Sequence, residues 1–525
     1  MPLSSRSSLP LSGILLLLAA CNPNDTGLDD TGEGIHITPH CGEVTGEETW
    51  AASDNRHLLT CDVVVTGTLT INPEAEVYFD PGTTLRVDGG TLVAVGFPDQ
   101  PILFESNAQD PAAGDHGGIV STNGTVSIDW VTLRHGGAEG ALLQLTGGTA
   151  DVGNSTFANG KSEGIVGDGT TFTRLENLNI AYVPVGLVLP WTAPQVLSGI
   201  VYDQVGTQSI MLPDDVVSES AELPNVGYTY VTGAVTVEEA AQLTITSGAL
   251  LQMGGDLLVY GGLSVFGDYD SKARIEGVDH APFNILIESS AFTATFRYAL
   301  INDASIVSEA QGLYAKASEI QDAPGDVFTV AGTVKDNNPA NLDNCRFSGA
   351  GYGLVIAPRN LGAVGTNAYT GSAFNGVALT GGTITQSMDI SELPSSTLKV
   401  LGSITVDGAN VVFTGGTFLF ADDTSLTVRD GTLQVSGASF VHDGSTAGGW
   451  NGITFDTGSD DSFLDNTEVG FGGADAGANI TIAASPTIRS CNIHDSAGWG
   501  VYVQSGSPEF EDNIYSGNAL GNVGP

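Results

Sequence analysis

Positive charge is nearly missing from this chain: 16 Lys and Arg stand against 60 Asp and Glu, a formal net charge of −44 over 525 residues. Phosphate recognition needs the opposite sign, so nucleic acid is excluded as a natural partner. The same surplus of carboxylates reads first as a well-solvated surface, and only secondarily as a store of divalent-cation ligands. Histidine is also scarce, and its 8 copies are scattered singly with no metal-ligand spacing. The H-E-x-x-H, C-x-x-C, P-loop and G-x-S-x-G patterns do not occur. Long apolar runs are absent apart from Leu11 to Ala20, which is too short to span a bilayer as a mature helix.

That run follows a single cation, Arg6, and reads as a secretory signal over residues 1–20. It ends Leu18-Ala19-Ala20-Cys21, which resembles the bacterial lipobox. The resemblance implies that Cys21 carries a lipid anchor holding the protein to a membrane. With Asn22 next, it implies an outer-membrane lipoprotein, on the cell surface or on the periplasmic face. Residues 21–34 are small and acidic and cannot bury enough surface to fold, so they are expected to form a tether. Cys41 and Cys61 flank the first rung, and an oxidising envelope compartment predicts a bridge closing an N-terminal cap over 35–61. Inside that cap, Thr45-Gly-Glu-Glu48 before Trp50 matches a capping box and reads as a short helix or as loop. Cys345 and Cys491 read as small buried residues; His494 lies three positions beyond Cys491, on the opposite face of a strand.

What the chain has in abundance is glycine, 70 residues, set between apolar runs of four to seven residues. The text also recurs. Val65-Thr-Gly-Thr-Leu-Thr-Ile71 returns as Val231-Thr-Gly-Ala-Val-Thr-Val237 and as Val400-Leu-Gly-Ser-Ile-Thr-Val406. Leu133, Ile301 and Val469 are spaced by 168 residues, and Ile180, Phe347 and Ile514 by 167. Three related modules follow, about 62–222, 223–391 and 392–525, the last lacking its final rungs. A shorter period runs inside them, as in Leu342-Asp-Asn-Cys-Arg-Phe347 followed by Tyr352-Gly-Leu-Val-Ile356. These repeats resemble those of right-handed parallel β-helix proteins of pectate-lyase-like architecture, among them bacterial lipoproteins of myxobacterial type with acidic tethers. The resemblance implies an all-β solenoid of roughly twenty rungs over 62–525. Asn177, Asn344 and Asn513 are expected at its turns.

That fold hosts lyases, hydrolases, adhesins and structural rods, so activity has to come from a site. Asp460 and Asp461 resemble the aspartate pair of polygalacturonase-like hydrolases, but His135-Gly136 precedes them, reversing that family's order, and no Arg-x-Lys follows. They remain weak catalytic candidates, and a solvated turn is the simpler reading. Arg297, Arg346 and Arg489 read as surface arginines. Acidic turns such as Asp456 to Asp461 offer Ca²⁺ ligands without EF-hand or nonapeptide spacing, so no cofactor or metal site is assigned. Trp191, Trp450 and Trp499 are candidates for sugar stacking or for packing in the column. The reading favoured is a non-enzymatic surface rod for adhesion, envelope structure, or glycan or protein binding. A surface-tethered lyase or glycoside hydrolase acting on acidic polysaccharide is the alternative.

Overall fold

The computed structural model describes residues 36–54, 56–334, 341–474 and 477–525. The expected signal, the Cys21 anchor and the acidic tether lie outside them. The chain divides at His36, and the compact unit from Ile37 to Pro525 is a parallel β-solenoid of about 22 turns. With coils stacked ~4.8 Å apart, that unit runs on the order of 100 Å.

The winding follows from alternation. In Thr68–Ile71, Glu76–Phe79 and Thr91–Val95, every second side chain is buried and its neighbours face outward. Runs this short cannot bury an apolar face alone, so each coil closes its column on the next. Strand stacks on strand in parallel throughout. Val63, Leu85 and Ile119 form part of one inward column, and Phe104, Leu133, Phe157 and Ile180 part of another. Asparagine side chains tie coils together at the corners. Asn367 Oδ1 accepts from the Cys345 amide at 2.8 Å and Asn513 Oδ1 from the Cys491 amide at 2.9 Å. Asn177 and Asn344 have left-handed backbone, but at the third expected position that conformation falls on Asp512 instead of Asn513.

The sequence period and the coil do not coincide. Counting strand positions, 168 residues hold seven coils and one extra strand, so equivalent residues move one face around the column. Leu133, Phe157, Ile180 and Tyr202 stack on one face. Their counterparts Ile301, Ile320, Phe347 and Tyr369 stack on the second. On the third face Val469 and Ile493 are followed by Tyr515. The expected counterpart Ile514 is therefore off by one: it points outward and is 66% exposed.

The first coil also departs from expectation. Ile37–Val44 pairs in parallel with Arg56–Val65, and Glu47–Trp50 with Thr68–Ile71, so winding begins at Ile37. Of the capping-box stretch, Thr45 and Gly46 form a bend and Glu47 and Glu48 enter a strand, where Glu48 accepts from Trp50 Nε1 at 2.7 Å and Trp50 is buried beside the His40 and His57 rings. Cys41 and Cys61 are joined by a disulfide, Cα to Cα 5.0 Å, linking the first two coils.

The recurring glycines mark corners with no room for a side chain. A Cβ on Gly67 would sit 2.2 Å from the Gly46 carbonyl oxygen, and one on Gly402 would sit 2.4 Å from that of Thr380. Gly402→Ala should therefore push two coils apart and cost about 1–3 kcal/mol, the usual penalty of overpacking. Gly46→Ala, where nothing lies within 4 Å, serves as the control. Denaturant midpoints of the two variants check this, and equal midpoints would contradict it.

Candidate functional site

Three corners of the solenoid correspond across the modules. Residues 107–117, 278–282 and 443–451 leave the column after the strands Ile102–Ser106, Ala273–Gly277 and Ser439–His442. They occupy equivalent places in the three modules, each one face further round, and each lies beside an imidazole paired with an acid.

In the first module the Glu105 carboxylate is nearly buried and meets Arg134 Nε through one oxygen and His135 Nδ1 through the other. Asn159 reaches His135 Nε2 at 3.3 Å. His135 has left-handed backbone, φ +66°, as does its counterpart Phe471, φ +63°. Below them His116 is fully buried and stacks on Phe79 at 4.2 Å. Its Nε2–H donates to the Arg134 carbonyl at 2.9 Å, and its Nδ1 accepts from the Gly118 amide at 3.1 Å. Burial drives its pKa down to about 4, and the two hydrogen bonds suit the neutral ring.

The second module holds His280 3.2 Å from Asp303, with the ring largely in solvent. In the third, His442 Nε2 meets Asp422 at 2.8 Å. Two coils further, His494 lies between Glu468 and Asp495, 2.9 Å from each. Burial works against the ionised Glu468, but hydrogen bonds from Ser439 and His494 outweigh it and hold its pKa below the ordinary value.

A different surface marks the middle module. Here Gly262–Phe266, Thr293–Arg297, Gln311–Lys316 and Thr333–Val334 form one sheet, and its outward side is an open groove of about 690 Å³. Leu263, Val265, Ala294 and Phe296 point inward and are fully buried, which turns Ser264, Phe266, Thr295 and Arg297 outward. Register sets Thr295 beside Ser264 and Tyr314, and Arg297 beside Phe266. Phe266 is 44% exposed and Phe292 55%. The Arg297 guanidinium lies 5.0 Å from the Phe266 ring centre and 5.6 Å from that of Tyr298. Among the described residues it makes no ion pair with a carboxylate.

No family model, curated protein or solved structure matches this chain. The arrangement of its own side chains is what bears on function.

Asp460 and Asp461 sit in an exposed turn between Gly452–Phe455 and Phe463–Asp465. No His, Arg or Lys is paired with either among the described residues, and His135 belongs to a coil of the first module. Cys345 and Cys491 are buried, and burial pushes their thiols up to about 12 and about 11, far from a reactive thiolate. His494 engages acids and not Cys491, whose Sγ–H is directed at backbone carbonyls. No group of three or more His, Cys, Asp or Glu among the described residues could hold a metal ion. Trp450 is buried and stacks on Phe420 at 4.1 Å, and Trp191 is 5% exposed, so both pack in the column. Arg489 pairs with Asp465 at the surface, while Arg297 lines the groove.

Sequence reasoning missed both groove phenylalanines. Phe266 was open to discovery, because Leu263 and Val265 fix the inward parity and leave it outside. Phe292 was not. It shares parity with the inward Ala294 and Phe296, yet sits in the turn before their strand, with its ring against Gly262.

Proposed function

We propose that the chain is a non-enzymatic, lipid-anchored surface rod that binds a glycan or a protein along the long face of its solenoid. The observation that carries this reading is the groove of the middle module. The Phe266 ring on a parallel sheet, the Phe292 ring at the turn beside it, and a guanidinium with no carboxylate partner among the described residues stand exposed among hydroxyl-bearing side chains. Exposed aromatic surface on a soluble face marks interaction sites, and a rigid sheet pre-organises it at little entropic cost. Cys21 supplies the anchor and 21–34 the spacer that holds the rod away from an outer membrane.

The second reading, a tethered lyase or hydrolase, draws on the Glu105, Arg134 and His135 cluster. Each carboxylate oxygen there already has a cationic or imidazole partner, which suits a structural clasp better than an acid waiting for substrate.

Two measurements on the delipidated full chain test the choice. An array of glycans and envelope proteins should show specific binding. Incubation with uronate polymers, with and without Ca²⁺, should release no unsaturated product by absorbance. Product release would overturn the non-enzymatic reading.

A further inference from the structure

Resting on the reading of the long face as a binding surface, we propose that the middle-module groove is a site for an uncharged saccharide chain. Phe266 and Phe292 provide its stacking floor, and Arg297 provides its hydrogen-bond donors.

The shape of the site comes first. An open groove of about 690 Å³ lies within the range of ~300–1,000 Å³ that holds small ligands. It is open along the sheet, which suits a chain passing through more than a compact molecule. Its floor is two large rings left in solvent, a costly arrangement unless a flat apolar partner covers them. Sugar rings present such faces of C–H groups, with hydroxyls around the rim. The rim here answers in kind. Thr293 and Thr295 sit on one strand, their hydroxyls 3.3 Å apart, and Tyr314 is beside Thr295 on the next strand, so three hydroxyl-bearing side chains line the rim.

Arg297 settles the polarity of the rim. Its five N–H donors have no carboxylate partner among the described residues, although the chain carries 60 acids. The guanidinium lies near the Phe266 and Tyr298 rings, and its N–H groups can donate to the hydroxyl oxygens of a sugar. Lys316, beside Arg297 in register, is paired with Asp343, which leaves one cation without a carboxylate and suggests an anionic ligand, but the field of the whole chain decides against one. At a net charge of −44, a polyanion is repelled along the full length of the solenoid, and one guanidinium does not offset that. A neutral chain pays no such penalty. The guanidinium is particular to the middle module: the positions 168 residues before and after Arg297 are Asp129 and Asp465. The equivalent strands of the first, Thr91–Val95 and Thr125–Asp129, carry no aromatic residue.

The test uses the delipidated full chain, titrated calorimetrically with cello-, xylo-, chito- and maltohexaose, and with hexagalacturonate. At least one neutral hexaose should bind, with affinity changing less than about 2-fold between 50 and 500 mM salt, since no charge pair is screened. Phe266→Ala and Phe292→Ala should each weaken it at least about 10-fold, the loss of one stacking contact. Arg297→Gln should weaken it by a similar factor. All three positions are at the surface, so thermal melting should match the parent chain. Binding of hexagalacturonate alone would overturn the proposal, as would neutral binding indifferent to the three substitutions, or no neutral binding. If array binding persists in Phe292→Ala, the rod still binds and only this site assignment falls. If neither assay shows binding, both fall.

Discussion

Phe440→Ala is expected to cost about 4 kcal/mol, the range for removing a large buried ring from a packed core. Phe440 has no exposed surface; its ring stacks 4.8 Å from Phe418 and lies 6.2 Å from Phe420, which in turn stacks on Trp450. The cavity would therefore cut a continuous aromatic pile across neighbouring coils. In a stack where each coil touches only its neighbours, the damage should stay local. Hydrogen exchange ought to quicken over roughly residues 413–470 while the coils before Thr232 keep their protection. Uniform loss of protection along the chain would show that the solenoid unfolds as one cooperative block.

The second large effect is pH dependence at His116. Its folded pKa, about 4, lies below the ordinary histidine value of about 6.5, so the unfolded chain takes up a proton that the folded chain refuses. The stability this group contributes is fully present above pH 6.5 and is lost as pH falls towards 4. The shift corresponds to about 3 kcal/mol. The ring faces Glu105, Asp115 and His135, and acid conditions also neutralise carboxylates, so the parent chain alone cannot isolate the effect. His116→Gln lacks the titration. Its stability should fall by about 3 kcal/mol less than that of the parent between pH 7 and pH 4, measured by denaturant unfolding. Parallel pH profiles for the two chains would refute the assignment.

The fold was legible because two independent periods, one of a rung and one of a module, agreed, and inward parity is plain in strands such as Leu85–Val87 and Leu426–Val428. The misreadings share a cause: the deciding partner is distant in sequence or a single position away. Glu48 looked like a helix cap because the Trp50 indole that claims it could not be seen as buried without the coil above. Ile514 and Tyr515 are adjacent, and choosing the wrong one turns a core residue into a surface residue. Glu105 and His135 are 30 residues apart and meet only because coil register sets their strands side by side. The groove was half visible. Strand alternation exposes Phe266, whereas Phe292 depends on a turn that no periodicity describes.

The mismatch between module and coil bears on how the protein can engage a surface. The three corresponding corners, 107–117, 278–282 and 443–451, are separated by seven coils and a third of a revolution, so they form a screw about the axis. A plane laid against the column can touch one of them, never all three. Avidity from three copies of one contact on a flat sheet, such as a cell wall, is therefore closed to this architecture. Each corner addresses its own direction, and a single molecule is suited to bridging separate neighbours or to lying within a meshwork whose strands pass on every side.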